Sequence, residues 1–205
     1  MPPNPQKTRK EMKRDIILAC LGGQGILSIA TIIGSAALEQ DLSLKQAEVH
    51  GMSQRGGDVQ SHLRLSDGAI HSDLIPLGGA DIIISMEPME ALRYLPFLAK
   101  DGWIITNTVP LKNIPNYPEM AEIEAALGKV KNVVALDAEA VAKAVQSPRS
   151  ANMVLLGASA AVLQILQPDK LRDGIRRIFA RKGDAVVEAN LKAFDEGLKI
   201  SQQQG

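Results

Sequence analysis

The sequence predicts an α/β protein: a doubly wound, Rossmann-like, mostly parallel sheet that carries an antiparallel ribbon and is followed by a C-terminal helical segment. Short apolar runs such as Asp15–Leu21 (DIILACL) and Ala80–Ser85 (ADIIIS) have the length and composition of strands buried on both faces. A glycine turn, Gly22-Gly23-Gln24-Gly25, joins the first run to a stretch of helical character. After Ser147-Pro148 the strand-like runs stop and only helical periodicity remains.

The elements follow in order. Asp15–Leu21 is bounded by charge before it and glycine after it, and Ile26 to Gln40 is apolar nearly all round, so strand, turn and buried helix open a βαβ unit. Ser43–Val49 reads as a weak next strand. Val59, Ser61, Leu63 and Leu65 alternate with Gln60, His62 and Arg64, the period of a strand with one wet face. Asp67-Gly68 is a hairpin signal, with Ala69–Ser72 as the returning strand of the ribbon. Pro88 suits the first turn of a helix reaching about Leu98. Gly102–Thr106 and Asn132–Leu136 are further strands, and Asp137 is placed to cap a helix over Ala138–Val145. Helices over about Ala151–Leu166, Asp169–Ala180 and Asp184–Ile200 complete the chain. Val187, Leu191, Phe194 and Leu198 form one apolar stripe on the last of them.

At 205 residues this is one domain, read as residues 15–200, behind a flexible basic N-terminus of residues 1–14 that holds Lys7, Arg9, Lys10, Lys13 and Arg14 against Glu11. Basic and acidic residues balance at 23 each and aromatics are 3%, which argues against a nucleic-acid partner. No apolar stretch reaches the roughly 20 residues of a membrane span; Met153–Leu166 reads as a buried helix. The single cysteine, Cys20, permits no internal disulfide and no four-thiolate iron–sulfur cluster, and points to the cytoplasm. His50, His62 and His71 show no metal-ligand spacing, so no metal site is expected.

The dinucleotide fingerprint wants glycines at relative positions one, three and six, where this chain has Cys20, Gly22 and Gly25. Glu48 falls where a ribose-binding carboxylate would stand. Three readings stay open for Gly22, Gly23, Gln24 and Gly25: close packing of strand on helix, an anion docked at the helix N-terminus, or a dinucleotide. Cys20 reads as a buried strand residue.

The stretch Ala47–Gly57 (AEVHGMSQRGG) gathers a carboxylate, an imidazole, a guanidinium and three glycines, more than a plain surface loop needs. It is a catalytic loop, an anion-binding loop, or a loop that completes another subunit's site.

LGGQGI (Leu21–Ile26), EVHGMSQRGG (Glu48–Gly57), SHLR (Ser61–Arg64), ADIIISMEPMEALRYLPFL (Ala80–Leu98) and the Asn152, Leu156-Gly157-Ala158 pattern together resemble the small subunit, or gamma-type domain, of 2-oxoacid:ferredoxin oxidoreductases, and most nearly the beta subunit of the indolepyruvate branch. The resemblance runs from about Asp15 to Leu198. It implies an accessory subunit, inactive alone, of an enzyme that oxidatively decarboxylates a 2-oxoacid to an acyl-CoA and passes electrons to ferredoxin. It also implies a large partner subunit that holds thiamine diphosphate with Mg and the Fe-S clusters, with CoA bound in the assembled complex and no cofactor held by this chain alone. On that reading Glu48, His50, Gly51, Gln54, Arg55, Gly56 and Gly57 face the large subunit. Arg55 would pair with a carboxylate or phosphate and His50 would supply a hydrogen bond or proton. The competing readings are a loop held by its own Glu48–Arg55 pair, a free-standing NAD(P)-binding oxidoreductase, and a purely structural interaction subunit. The family often has glycine where Cys20 stands, which leaves less room at the turn. Elsewhere, His62 and Arg64 read as a solvated strand face, Met86 and Met89 as packing, Tyr94 and Trp103 as core or interface anchors, Asn152 as a helix cross-link or cofactor contact, and Gly157–Ala160 as a site of tight helix packing, including across subunits.

Overall fold

The computed structural model describes residues 12–50 and 57–204. β1 (Lys13–Leu21) leads through the glycine turn into α1 (Ile26–Leu38), followed by β2 (Ser43–His50) and β3 (Asp58–Ser66). β4 (Ala80–Ser85), α2 (Pro88–Arg93), a 3₁₀ turn (Leu95–Phe97), β5 (Leu98–Asn107), α3 (Met120–Leu127), β6 (Val133–Leu136) and α4 (Ala138–Ala144) come next. α5 (Ala151–Leu163), α6 (Pro168–Phe179) and α7 (Asp184–Gln204) end the chain.

The six strands lie in the order β2-β3-β1-β4-β5-β6. β1, β4, β5 and β6 are parallel, and β3 runs antiparallel to both β1 and β2. Alternate residues of β1 face opposite layers. Ile16, Leu18 and Cys20 pack with α1 and the C-terminal helices, whereas Ile17 and Ala19 pack toward α2, α3 and the Tyr94–Phe97 corner. Helices therefore cover both faces, as a doubly wound sheet requires. Among the described residues no helix is long and apolar enough to cross a membrane.

Several expectations are corrected. Ala69–Ser72 forms no returning strand. Both edges of β3 are already taken, by β1 and by β2, so the ribbon is the antiparallel β2–β3 pair. Asp67 extends the ladder toward β1 instead: its N–H donates to the Met12 carbonyl at 3.0 Å, and the Met12 N–H donates to its carboxylate at 2.8 Å. The first parallel neighbour of β1 is β4, not the strand that follows α1. The helix starting at Pro88 stops at Arg93, because Pro96 lacks an N–H and forces a 3₁₀ turn, and β5 has begun by Leu98. α5 ends at Leu163, where Gln164 takes φ 51°. α3 had no counterpart in the sequence reading.

His62 and Arg64 are not a wet face. His62 is buried, and its Nδ1 accepts the Ile75 N–H at 3.0 Å while its ring meets Phe97 edge-on. Arg64 forks onto the fully buried Asp15 at 2.8 and 3.0 Å and donates to the carbonyls of Ser72 and Leu74. These two side chains pin the long connection to β4 across the sheet. The small run on α5 packs within the chain. A Cβ on Gly157 would stand 2.0 Å from the Phe194 carbonyl oxygen, and one on Gly197 would stand 1.9 Å from that of Val154.

Candidate functional site

All four parallel strands end on one edge of the sheet, where α/β proteins bind ligands, at the switch point between β1 and β4. β2 runs parallel to β1 with β3 between them, and His50, Val59 and Cys20 lie abreast. The Gly57 end of β3 therefore meets the glycine turn. Their junction is a backbone hydrogen bond from the Gly22 N–H to the Gly57 carbonyl at 2.9 Å. The two glycine-bearing motifs, 35 residues apart at this bond, are joined there. Gly51, Gln54, Arg55 and Gly56, together with Met52, lie outside the described residues, as does any Glu48–Arg55 pair.

The turn is locked from within. Gly23 and Gly25 have φ of 100° and 84°, a left-handed backbone that glycine adopts without cost. Gln24 folds back: its Oε1 accepts the Leu21 N–H at 2.8 Å, and its Nε2 donates to the Met86 carbonyl across the switch point at 3.4 Å. Asn107 Nδ2 donates to the same carbonyl. Asn152 Nδ2 donates to the Gly25 carbonyl at 3.1 Å, and a Cβ on Gly25 would press within 2.9 Å of that nitrogen. Asn152 is thus the cross-link between turn and α5. Cys20 lies buried beneath the turn. Burial pushes its thiol up to about 12, with the Ile26 backbone N–H pulling the other way, so it is no nucleophile at neutral pH. Glu48 is exposed on β2, and with β3 interposed it stands about 10 Å to the side of β1 at ordinary strand spacing. A side-chain amide across the switch point and a displaced acid are a poor match to a dinucleotide site.

On the α2 side of this edge lies an acidic cluster that the sequence reading missed. Glu87 is fully buried at the N-cap of α2; its Oε2 accepts the Glu90 N–H at 2.9 Å, and its Oε1 accepts from Leu111 N–H and the Tyr117 hydroxyl. Glu90, equally buried, is gripped side-on by Arg93 at 2.9 and 3.1 Å. Burial raises the Glu90 pKa and outweighs the Arg93 bond that lowers it. Tyr94 donates to Asp58 at 3.3 Å beside the hairpin, and its hydroxyl is pushed up by burial first and by Asp58 next. These groups fasten α2 and the segment after β5 to the base of the hairpin. The Glu87-Pro88 pair was the available signal, since a side-chain acceptor before an N1 proline marks a helix start.

On the other side a cavity of about 320 Å³ abuts Gly23, Gln24 and Gly25, with Lys143 and Arg149 on its rim. No sequence spacing connects these cations to the turn; only the packing of α5 against both α1 and α4 does. Among the described residues no group of three or more His, Cys, Asp or Glu is placed to hold a metal ion.

Comparison with known proteins gives a consistent picture. The pyruvate ferredoxin/flavodoxin oxidoreductase family matches residues 15–200. The indolepyruvate oxidoreductase subunit IorB of Pyrococcus horikoshii is 35% identical over 198 residues, covering 92% of this chain and 96% of that one. IorB of Archaeoglobus fulgidus is 37% identical over 91% of this chain and 94% of its own. Among solved structures, the gamma subunit of a keto/oxoacid ferredoxin oxidoreductase from Geobacter sulfurreducens shares the fold at TM-score 0.68 and 22% identity, over 94% of this chain and 98% of that one. The 2-oxoglutarate:ferredoxin oxidoreductase of Magnetococcus marinus shares it at TM-score 0.73 and 22% identity, over 93% of this chain but 31% of that longer one.

Proposed function

The chain belongs to the pyruvate ferredoxin/flavodoxin oxidoreductase family, and we propose that it is the small subunit of an indolepyruvate-type 2-oxoacid:ferredoxin oxidoreductase whose Ala47–Gly57 loop faces the large subunit. The complex oxidatively decarboxylates a 2-oxoacid to an acyl-CoA and reduces ferredoxin. One cysteine in the whole chain, buried and with a raised pKa, fits a subunit that leaves the cluster to its partner. Thiamine diphosphate, with its Mg ion, supplies the carbanion chemistry on that partner. Assembly takes place in the cytoplasm.

The observation that supports this reading is the Gly22–Gly57 bond, which ties the glycine turn to the end of the Ala47–Gly57 stretch at the carboxyl edge of the sheet. What this chain contributes is orientation and charge. Arg55 offers a planar fork to a carboxylate or phosphate of the substrate or CoA. His50 supplies a hydrogen bond or proton near neutral pH. The glycines of the loop allow close approach of the partner.

The test is Arg55→Ala in the reconstituted complex. Loss of a charge-assisted contact is worth about 1–4 kcal/mol, so turnover falls roughly five- to a thousand-fold while size-exclusion chromatography shows unchanged assembly. Full turnover in that variant would leave the loop a purely structural contact.

A further inference from the structure

The two edges of the sheet are built differently. β6, at one end, is four residues long, too short to invite another strand. β2, at the other, runs eight residues from Ser43 to His50 in unbroken antiparallel register with β3. It contains no proline and no bulge, and its only Lys, Arg, Asp or Glu residues are Lys45 and Glu48, one of each sign. Among the described residues no strand lies on its outer side. Its outward N–H and C=O groups are therefore a template for a further strand.

α1 points the same way. It exposes one stripe, Leu27, Thr31 and Leu38, with the two leucines 49% and 65% exposed. At about 100° per residue these three positions fall within roughly 40° of one another, beside Gly34 and well round the helix from Ile32. A Cβ on Gly34 would touch Leu44 of β2 at 3.1 Å, whereas Ile32 packs on Gly174 of α6. The stripe thus looks past β2 toward the open edge, and away from α6. On the opposite face of the sheet, Val49 of β2 is 50% exposed. Three large apolar residues left in solvent surround one unpaired strand edge.

A second copy of the chain is the occupant this edge fits, because the arrangement is complementary to itself. A two-fold axis through Ala47, normal to the sheet, pairs two β2 strands antiparallel at about 4.8 Å. Ala47, with only a methyl group, is the residue that meets itself. Gln46 falls opposite Glu48 of the second copy and Lys45 opposite its Val49, so no like charges are opposed. The same rotation runs the two α1 helices antiparallel and sets Leu27 of each toward Leu38 of the other. We propose that β2 is a dimerisation edge through which two copies of this chain join their six-stranded sheets into one, sealed on the helical side by α1 against α1 and on the other by Val49 and the Lys45 stem. The pairing turns the two carboxyl edges to opposite sides, so each is left free for a large subunit.

The chain carries its own test, because its one cysteine, Cys20, is buried and leaves an introduced thiol as the reactive one. Directly opposed residues of an antiparallel pair have Cα atoms roughly 4.5–5.5 Å apart, within disulfide reach. Ala47→Cys is expected to oxidise to a disulfide-linked dimer under conditions where Lys129→Cys, in the exposed turn before β6, stays monomeric. Sedimentation equilibrium of the parent should give the mass of two chains. Leu27→Glu/Leu38→Glu changes only exposed positions, so it should keep the native circular dichroism and weaken self-association at least roughly tenfold. A monomer at every concentration, a dimer as tight in the double variant as in the parent, or cross-linking of Lys129→Cys as fast as that of Ala47→Cys would each overturn the assignment. The outcome is independent of the Arg55→Ala test, which reads the large-subunit contact alone.

Discussion

Replacing Gly157 by alanine tests the tightest packing in the molecule. The new Cβ would stand 2.0 Å from the Phe194 carbonyl oxygen and 2.9 Å from the Leu198 nitrogen, both backbone atoms of α7 that no rotamer change can move. An ordinary C···O contact is about 3.3 Å, so the helices must part by roughly 1.3 Å. Parting them opens space around Phe194 and Val154, both wholly buried. Overpacking typically costs about 1–3 kcal/mol, and the lost contacts add to it, so roughly 3–5 kcal/mol is expected. At about 2–4 °C per kcal/mol for a chain of this size, Tm falls by roughly 6–20 °C in a calorimetric scan. Gly197→Ala strikes the same crossing from the other side, so the double variant should lose less than the sum of the two. A Gly157→Ala protein melting within about 2 °C of the parent would refute a backbone-on-backbone crossing.

Arg64→Ala strands the fully buried Asp15 with Lys13 as its remaining cation; a loss of about 3–5 kcal/mol in urea denaturation is expected. For His62, burial lowers the pKa below the 6.5 of a free side chain, with Arg64 adding to the effect. The unfolded chain therefore protonates first, and stability is full above about 6.5 and falls as pH drops through the folded value. His62→Gln should flatten this part of the pH dependence in urea titrations between pH 7.5 and 5.5, and an unchanged slope would count against the buried neutral imidazole. Cys20 should resist an aromatic disulfide reagent in the native chain and react promptly in denaturant.

The parallel core was legible because its strands are buried on both faces and read as unbroken apolar runs. The ribbon was misread because Asp67-Gly68 has the chemistry of a hairpin turn. What excludes a hairpin there is the occupancy of both edges of β3, a tertiary fact that no local pattern carries. His62 and Arg64 looked wet for a similar reason: their alternation with Leu63 and Leu65 is real, yet the connection to β4 folds over them. The join of the two glycine motifs was not readable either, since it depends on β3 returning beside β1 to set Gly57 against Gly22. Glu87 and Arg149 escaped notice because their neighbours come from distant segments.

β1 also has a history in time. Its seven-residue run from Asp15 to Leu21 is synthesised first, yet its hydrogen-bonding partners are β3 on one side and β4 on the other, which emerge some 40 to 70 residues later. Until then the nascent chain carries an unpaired, strongly β-forming segment with only α1 to lie against it. Pairings this distant in sequence close slowly and leave edges open to wrong partners. The basic residues at Lys7, Arg9, Lys10, Lys13 and Arg14 sit immediately upstream, where charge acts as a gatekeeper against association of like strands.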